Sequence, residues 1–474
     1  MIPSVRSRGP TIVACAAALL AGVLLAGCAA GGGFDIGARA AKGEAPPDAA
    51  PYASTYDAPP APEYLIEHAT VLTGTGERLD DADVLMRDGA IVAVGANLSA
   101  PVGVERIDGR GRWVTPGIID VHSHLGAYAA PSVAAHSDGN EATDAVTAQV
   151  WVEHSVWPQD PQFPLALMGG ITTLQILPGS ANLIGGRGVT LKNVPGRSVM
   201  DMKFPGAPYG MKMACGENPK RVYGGKGNAP STRMGNVAGY RAAWIEAADY
   251  ARKMDGRNPP KRDLQLETLA GVLKGEILVH NHCYRADEML VMLEIAKEFG
   301  YRVGTFHHAT EAYKIADVLA ANGVCAAMWA DWWGFKEEAF DAVEANVPMV
   351  DAAGACAIVH SDSERDIQRL NQEAAKAMGA ARRMGMAVDE ARAITWITAN
   401  AADALGVGDR TGRLRPGFMA DVVLWDGNPF SVYSRAERVW IDGVLRFDAR
   451  DPAMRPLTDF DIGQTPAGRG EVVR

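Results

Sequence analysis

Gly117-Ile118-Ile119-Asp120-Val121-His122-Ser123-His124 is the stretch on which the fold turns. Ile118, Ile119 and Val121 make a short strand-like apolar run, and it ends in two histidines two positions apart. On an extended strand that spacing points both imidazoles to the same side. An open doubly wound sheet would place a glycine-rich phosphate turn after its first strand, and His122-Ser123-His124 stands there instead. Two ligand-type side chains at a strand end suit a barrel, where the C-terminal ends of all strands meet at one mouth.

Outward from this stretch, strand-like runs alternate with helical ones, the pattern of parallel β/α units. Eight runs qualify as strands: 118–121, 171–177, 189–191, 211–214, 277–279, 302–306, 326–329 and 357–359. Eight is the number that closes a (β/α)8 barrel. Amphipathic periodicity predicts helices over 286–299, 313–321 and 367–384. The third strand is short, 192–210 reads as loop, and 200–234 reads as a long glycine-rich loop of the kind that covers barrel mouths. Short β runs with turn signals flank the barrel on both sides, among them Asp88-Gly89 between 84–86 and 91–94, and 420–425 with 438–443. These terminal segments are expected to pair into one small β domain.

Histidines gather at the ends of the barrel strands: His122 and His124, His280 and His282, His307 and His308, and His360 with Asp362. Nitrogen and carboxylate donors of borderline softness suit zinc, with manganese, iron or nickel as alternatives. His68, His136 and His154 fall in the flanking domain or in loops and read as structural or surface residues.

The chain has 474 residues, 47% of them hydrophobic, which is ample for a barrel-sized core. A net charge of -10 argues against a nucleic-acid partner, which would need a basic face. A small-molecule substrate and a homo-oligomer remain open. Cys15, Cys28, Cys215, Cys283, Cys325 and Cys356 lack paired spacing, so no disulfide framework is expected. Arg6 and Arg8 precede the apolar run 12–25, which ends in Leu25-Ala26-Gly27-Cys28, the order of an export signal. The run is shorter than the roughly 20 residues of a membrane span. Residues 28–62 are rich in Ala, Gly and Pro and read as a flexible tether.

These features resemble known proteins. The sequence around Cys28 is similar to the bacterial lipobox, which implies a lipid anchor on Cys28. Ala29 stands where an inner-membrane retention signal would place Asp, which implies a periplasm-facing lipoprotein of the outer membrane. The stretches 117–124, Gly170-Ile171-Thr172-Thr173 and 412–423 resemble the opening, second-strand and closing motifs of the amidohydrolase superfamily, closest to its imidazolonepropionase-like branch. The likeness runs over 64–448. It implies a distorted TIM (β/α)8 barrel over 116–408, with a small β-sandwich built from 63–115 and 409–448, preceded by the signal (1–27) and followed by a tail (449–474).

The resemblance also implies one or two divalent metals, held by His122, His124, His280, His308 and Asp362, with Lys212 or Glu217 as bridge. His282 and His307 become neighbours behind the ligands or facing substrate. A bound divalent cation lowers the pKa of water from 15.7 to about 7, and Asp362 is placed to move the proton to the leaving amine. Trp329, Trp332, Trp333 and Tyr284 form a candidate apolar wall, and Arg187 or Arg285 a candidate carboxylate clamp. Hydrolysis of an amide or cyclic amide leads. A deaminase, with Glu311 as proton donor, or a lactonase follows on the same site, and an inactive lipid-anchored binding protein comes last.

Overall fold

In the computed structural model residues 52–332 and 334–456 are described. The export signal, Cys28, most of the tether, Trp333 and the end of the tail lie outside them. Among the described residues no helix is long and apolar enough to cross a membrane.

Sixteen strands follow in chain order. They are β1 (Tyr64–Leu72), β2 (Arg78–Arg87), β3 (Ala90–Gly95), β4 (Glu105–Asp108), β5 (Trp113–Pro116), β6 (Ile118–Ser123), β7 (Ile171–Ile176) and β8 (Ile184–Lys192). Then come β9 (Tyr209–Ala214), β10 (Ile277–His282), β11 (Val303–His307), β12 (Cys325–Met328), β13 (Cys356–Val359), β14 (Val422–Trp425), β15 (Ala436–Ile441) and β16 (Val444–Asp448).

The two chain ends do build one sheet, in the order β16-β15-β14-β5-β1-β2-β3 with β4 beside β1. Asp88-Gly89 and Asp442-Gly443 turn its hairpins with all four residues at positive φ, as a tight hairpin matched to strand twist requires. Val71, Val84, Met86, Val114, Leu424 and Trp440 pack as its own core.

Strands β6 to β13 form the second sheet, in sequence order, and curl into a barrel. All eight expected strands are present, with two differences. The third, β8, covers nine residues rather than three, and it runs antiparallel to both β7 and β9. The connection 177–183 is too short for the helical crossover that a parallel neighbour needs. The seam between β13 and β6 is held by side chain and backbone: the Asp362 N–H donates to His122 O at 3.0 Å and the Ser361 N–H to Asp120 Oδ1 at 3.2 Å. The Ser361 hydroxyl also donates to Asp120 Oδ2.

Three further expectations are corrected. The region 200–234 is not a structureless loop: it carries β9 and the helix Glu217–Gly224. The tether ends earlier than its composition suggests, because 52–56 is bound to the segment between β8 and β9 and to the turn between β15 and β16. Thr55 N–H donates to Met200 O (3.0 Å), Ser54 Oγ to Lys203 O (2.6 Å), and the Tyr56 phenol to Asp442 Oδ2 (2.6 Å). The cysteines do form disulfides, Cys215–Cys283 and Cys325–Cys356. Each joins neighbouring parallel strands, at the ends of β9 and β10 or across the paired starts of β12 and β13, so strand order rather than sequence spacing creates the pair.

Candidate metal centre

The barrel mouth gathers the strand ends as the histidine pattern anticipates. Asp362 stands at the middle of the upper layer. Its Oδ1 lies 3.0 Å from His124 Nε2 and 3.5 Å from His122 Nε2, and its Oδ2 3.8 Å from His308 Nε2. Lys212, on β9 and fully buried, places Nζ 3.1 Å from His122 Nε2 and donates to Pro178 O at 2.9 Å. His280 is level with Lys212 on the adjacent strand. Its Nδ1 faces His307 Nε2 at 2.9 Å, and His307 Nδ1 faces His122 Nδ1 at 3.0 Å. His360, which follows β13, faces His308 Nδ1 with its Nε2 at 2.9 Å. His282 sits against the His308 ring at 4.6 Å between centroids.

Local backbone makes this convergence possible. His308 and Asp362 follow their strands with φ of 66° and 50°, left-handed conformations that cost a non-glycine residue on the order of 1 kcal/mol. Gly210 on β9 leaves room for the His280 ring, since a Cβ there would lie 2.8 Å from His280 Cδ2.

The donor set fits a divalent cation. His122, His308 and Asp362 offer atoms within 4.8 Å of one another, and so do His122, His307 and His360. Burial drives His122, His282, His307 and His308 well below the usual imidazole range, His360 to about 4 and His280 to about 3. These rings are therefore neutral, the form that ligates metal. The His124 Nδ1–H donates to Leu177 O at 2.8 Å, which turns Nε2 toward Asp362 Oδ1 at 3.0 Å, where a bound cation would take the place of the proton shared between them. Burial opposes ionisation of Asp362, yet the His124 hydrogen bond and the neighbouring His124 and Lys212 charges hold its carboxyl below the usual range. Burial brings the Lys212 amine down to about 8.

Other expected residues separate into those near the mouth and those away from it. Tyr284 and Trp329 stack on His308, at 5.4 and 4.4 Å, and Trp332 stacks on Trp329 at 5.1 Å, so the aromatic wall is in place. Glu217 does not reach the centre. Gly216, at φ 79°, turns the chain before the helix starts, and the Glu217 carboxylate faces Lys336 at 3.8 Å. Arg187 is also misplaced: on the antiparallel β8 it points out of the barrel, over Trp151 at 4.1 Å and onto Thr268 Oγ1 at 2.9 Å. Arg285 is spent on Asp287 at 2.9 Å. Glu311 caps the backbone N–H of Ala286 and pairs with Lys314 rather than facing His308. A cleft of about 260 Å³ opens beside His122, His124, Lys212, His308 and Asp362, and its rim adds Tyr128, Asn140, Asn218 and Arg221. No local pattern marks these four in the sequence, because they lie on connections rather than at strand ends.

A model of the amidohydrolase family matches residues 272–457. A solved amidohydrolase from Thermotoga maritima MSB8 is 35% identical, with a TM-score of 0.75, over 81% of this chain and 100% of that one. The chain belongs to the amidohydrolase family. Amidohydrolase tasK of Hapsidospora irregularis is 33% identical over 404 residues, 78% of this chain, although the chain spans only 40% of that protein's length. An imidazolonepropionase of Mesorhizobium japonicum is 24% identical over 368 residues, 72% of this chain and 86% of its own. In this amidohydrolase the ends of β6, β11 and β13 meet in one mouth, where Lys212 lies beside His122.

Proposed function

We propose that this amidohydrolase cleaves the C–N bond of a small-molecule amide or cyclic amide with one or two divalent metals, zinc first among them. The observation that carries the reading is the single mouth in which neutral, buried imidazoles surround Asp362 and Lys212. In this reading His122, His124, His308 and Asp362 would hold the metal and Lys212, as a carbamate formed from its amine and carbon dioxide, would supply a bridge, whereas His280, whose ring nitrogens face His307 and Gln175, would join them only by giving up one of those contacts. A divalent cation bound there would make a water nucleophilic at neutral pH and polarise the scissile carbonyl. Asp362 accepts the proton of the attacking water and delivers it to the departing amine nitrogen. His307 and His360 hold the His122 and His308 rings in orientation, and His282 stands against the His308 ring beside Tyr284. Tyr284, Trp329 and Trp332 cover the apolar part of the substrate and keep bulk water from the reacting bond.

The same reading places the enzyme outside the cytoplasm, anchored by a lipid on Cys28 and facing the periplasm at the outer membrane. Two disulfides support an oxidising compartment, since cross-strand pairs of this kind persist where thiols are not kept reduced. Metal analysis of the purified protein, followed by a screen of dipeptides, N-acyl amino acids and cyclic amides, tests the activity. One or two metal equivalents and release of an amine are expected. A fully loaded protein that opens lactones or releases ammonia but leaves every amide intact would shift the assignment to a lactonase or deaminase.

A further inference from the structure

We propose that Arg221 binds a free carboxylate on the substrate, so that the enzyme selects amides bearing an acidic group, such as N-acyl amino acids and peptides with a free C-terminus. This rests on the hydrolase reading of the same cleft and adds the substrate class. Arg221 lies on the helix Glu217–Gly224, which leaves β9 directly above Lys212, and it lines the cleft that holds His122, His124, Lys212 and Asp362. Four other cations around the mouth pair with carboxylates of the protein itself. Lys336 reaches Glu338 at 3.5 Å, Arg233 reaches Glu288 at 3.0 Å, Arg285 reaches Asp287 at 2.9 Å, and Lys314 reaches Glu311 at 3.0 Å. Among the described residues the exposed Arg221 guanidinium has no such carboxylate.

Two further features favour an anion at this rim. Asn218, one turn earlier on the helix, is fixed by donation to Ser180 Oγ at 2.8 Å and keeps that wall of the cleft in position. Lys336 stands with Nζ 3.8 Å over the Tyr284 ring and within reach of Glu217 and Glu338, at 3.8 and 3.5 Å, so its charge is taken up and Arg221 is left as the guanidinium open to the cleft. A planar guanidinium with open donors meets a carboxylate through two parallel hydrogen bonds, which a lysine cannot imitate. The amide bond would then reach Asp362 with its acid end at Arg221 and its apolar end toward Trp329 and Trp332.

The test uses metal-loaded enzyme with N-benzoylglycine and its uncharged counterpart, N-benzoylglycinamide. Wild type should prefer the acid. In Arg221→Gln the acid-over-amide ratio of kcat/KM should fall by about 10- to 100-fold, mainly through KM, the range expected for losing a charge-assisted contact. Arg221→Lys should recover part of the loss. A ratio in Arg221→Gln that matches wild type would overturn the proposal while leaving the hydrolase reading intact. Should wild type turn over neither compound, calorimetric titration with N-benzoylglycine decides. Binding weakened about 10-fold or more by Arg221→Gln supports carboxylate recognition and counts only against hydrolysis. Absent binding, or binding indifferent to the substitution, overturns the proposal.

Discussion

Acidifying the metal-stripped protein from about pH 7.5 to about pH 5.5 should bring it close to unfolding, because the mouth holds six imidazoles that burial keeps neutral. In the unfolded chain each of them takes up a proton near pH 6.5, whereas in the fold His280 waits until about 3 and His360 until about 4. The unfolded state therefore binds more protons in this window. The stability these groups contribute is present above about pH 6.5 and is lost as pH falls. One unit below 6.5 each imidazole is worth a little over ~1 kcal/mol, so the six together are worth on the order of 8 kcal/mol. Asp120 acts in the opposite sense. Burial raises it to about 7, so acidification relieves a cost of about 2 kcal/mol, and Asp421, also raised by burial, adds to that relief. The imidazole loss exceeds the Asp120 relief by roughly 6 kcal/mol, comparable with the whole stability of a typical domain, and the Asp421 relief trims that figure. Urea unfolding followed by the fluorescence of the buried Trp244 and Trp396 reads it directly. A midpoint that is unchanged or higher at the lower pH would show that the imidazoles are already charged or hydrated in the fold, and the argument for a neutral donor set would fail with it.

Three other outcomes follow from the site and the chain ends. Asp362→Asn should lower turnover by about 100-fold or more with metal retained, and the acidic limb of the pH–rate profile should vanish, as a carboxylate acting as proton shuttle requires; near-normal turnover with that limb intact would move the role to His282 or His360. Lys212→Ala should lose a bridged second metal and regain part of its activity with added short carboxylates, whereas Glu217→Ala should keep its metal content, since the Glu217 carboxylate faces Lys336; the reverse pattern in metal analysis would transfer the bridge. Expressed with its full N-terminus, Cys28→Ser should leave the membrane fraction, and thiol titration of the unreduced protein should find Cys215, Cys283, Cys325 and Cys356 unreactive; persistent membrane association or four free thiols would refute the exported, anchored reading.

The sequence by itself determined the barrel's eight strands, the joining of the two chain ends and the gathering of the histidines at one mouth. Each of these rests on local patterns: apolar runs of strand length, turn-forming Asp-Gly pairs, and histidines at strand ends that must converge once the strands close. Even so, periodicity has no sign for direction, and the reversal of β8 came only from the short 177–183 connection as folded. That reversal turned Arg187 out of the site, and the turn at Gly216 did the same for Glu217. Tyr128, Asn140, Asn218 and Arg221 join the cleft from connections whose paths no local pattern encodes. The disulfides were invisible for the same reason, because Cys215 meets Cys283 across 68 residues only after β9 and β10 are neighbours. Local periodicity reports which face of an element is apolar, but which elements become adjacent, and in which direction they run, is decided by the packing of the whole barrel.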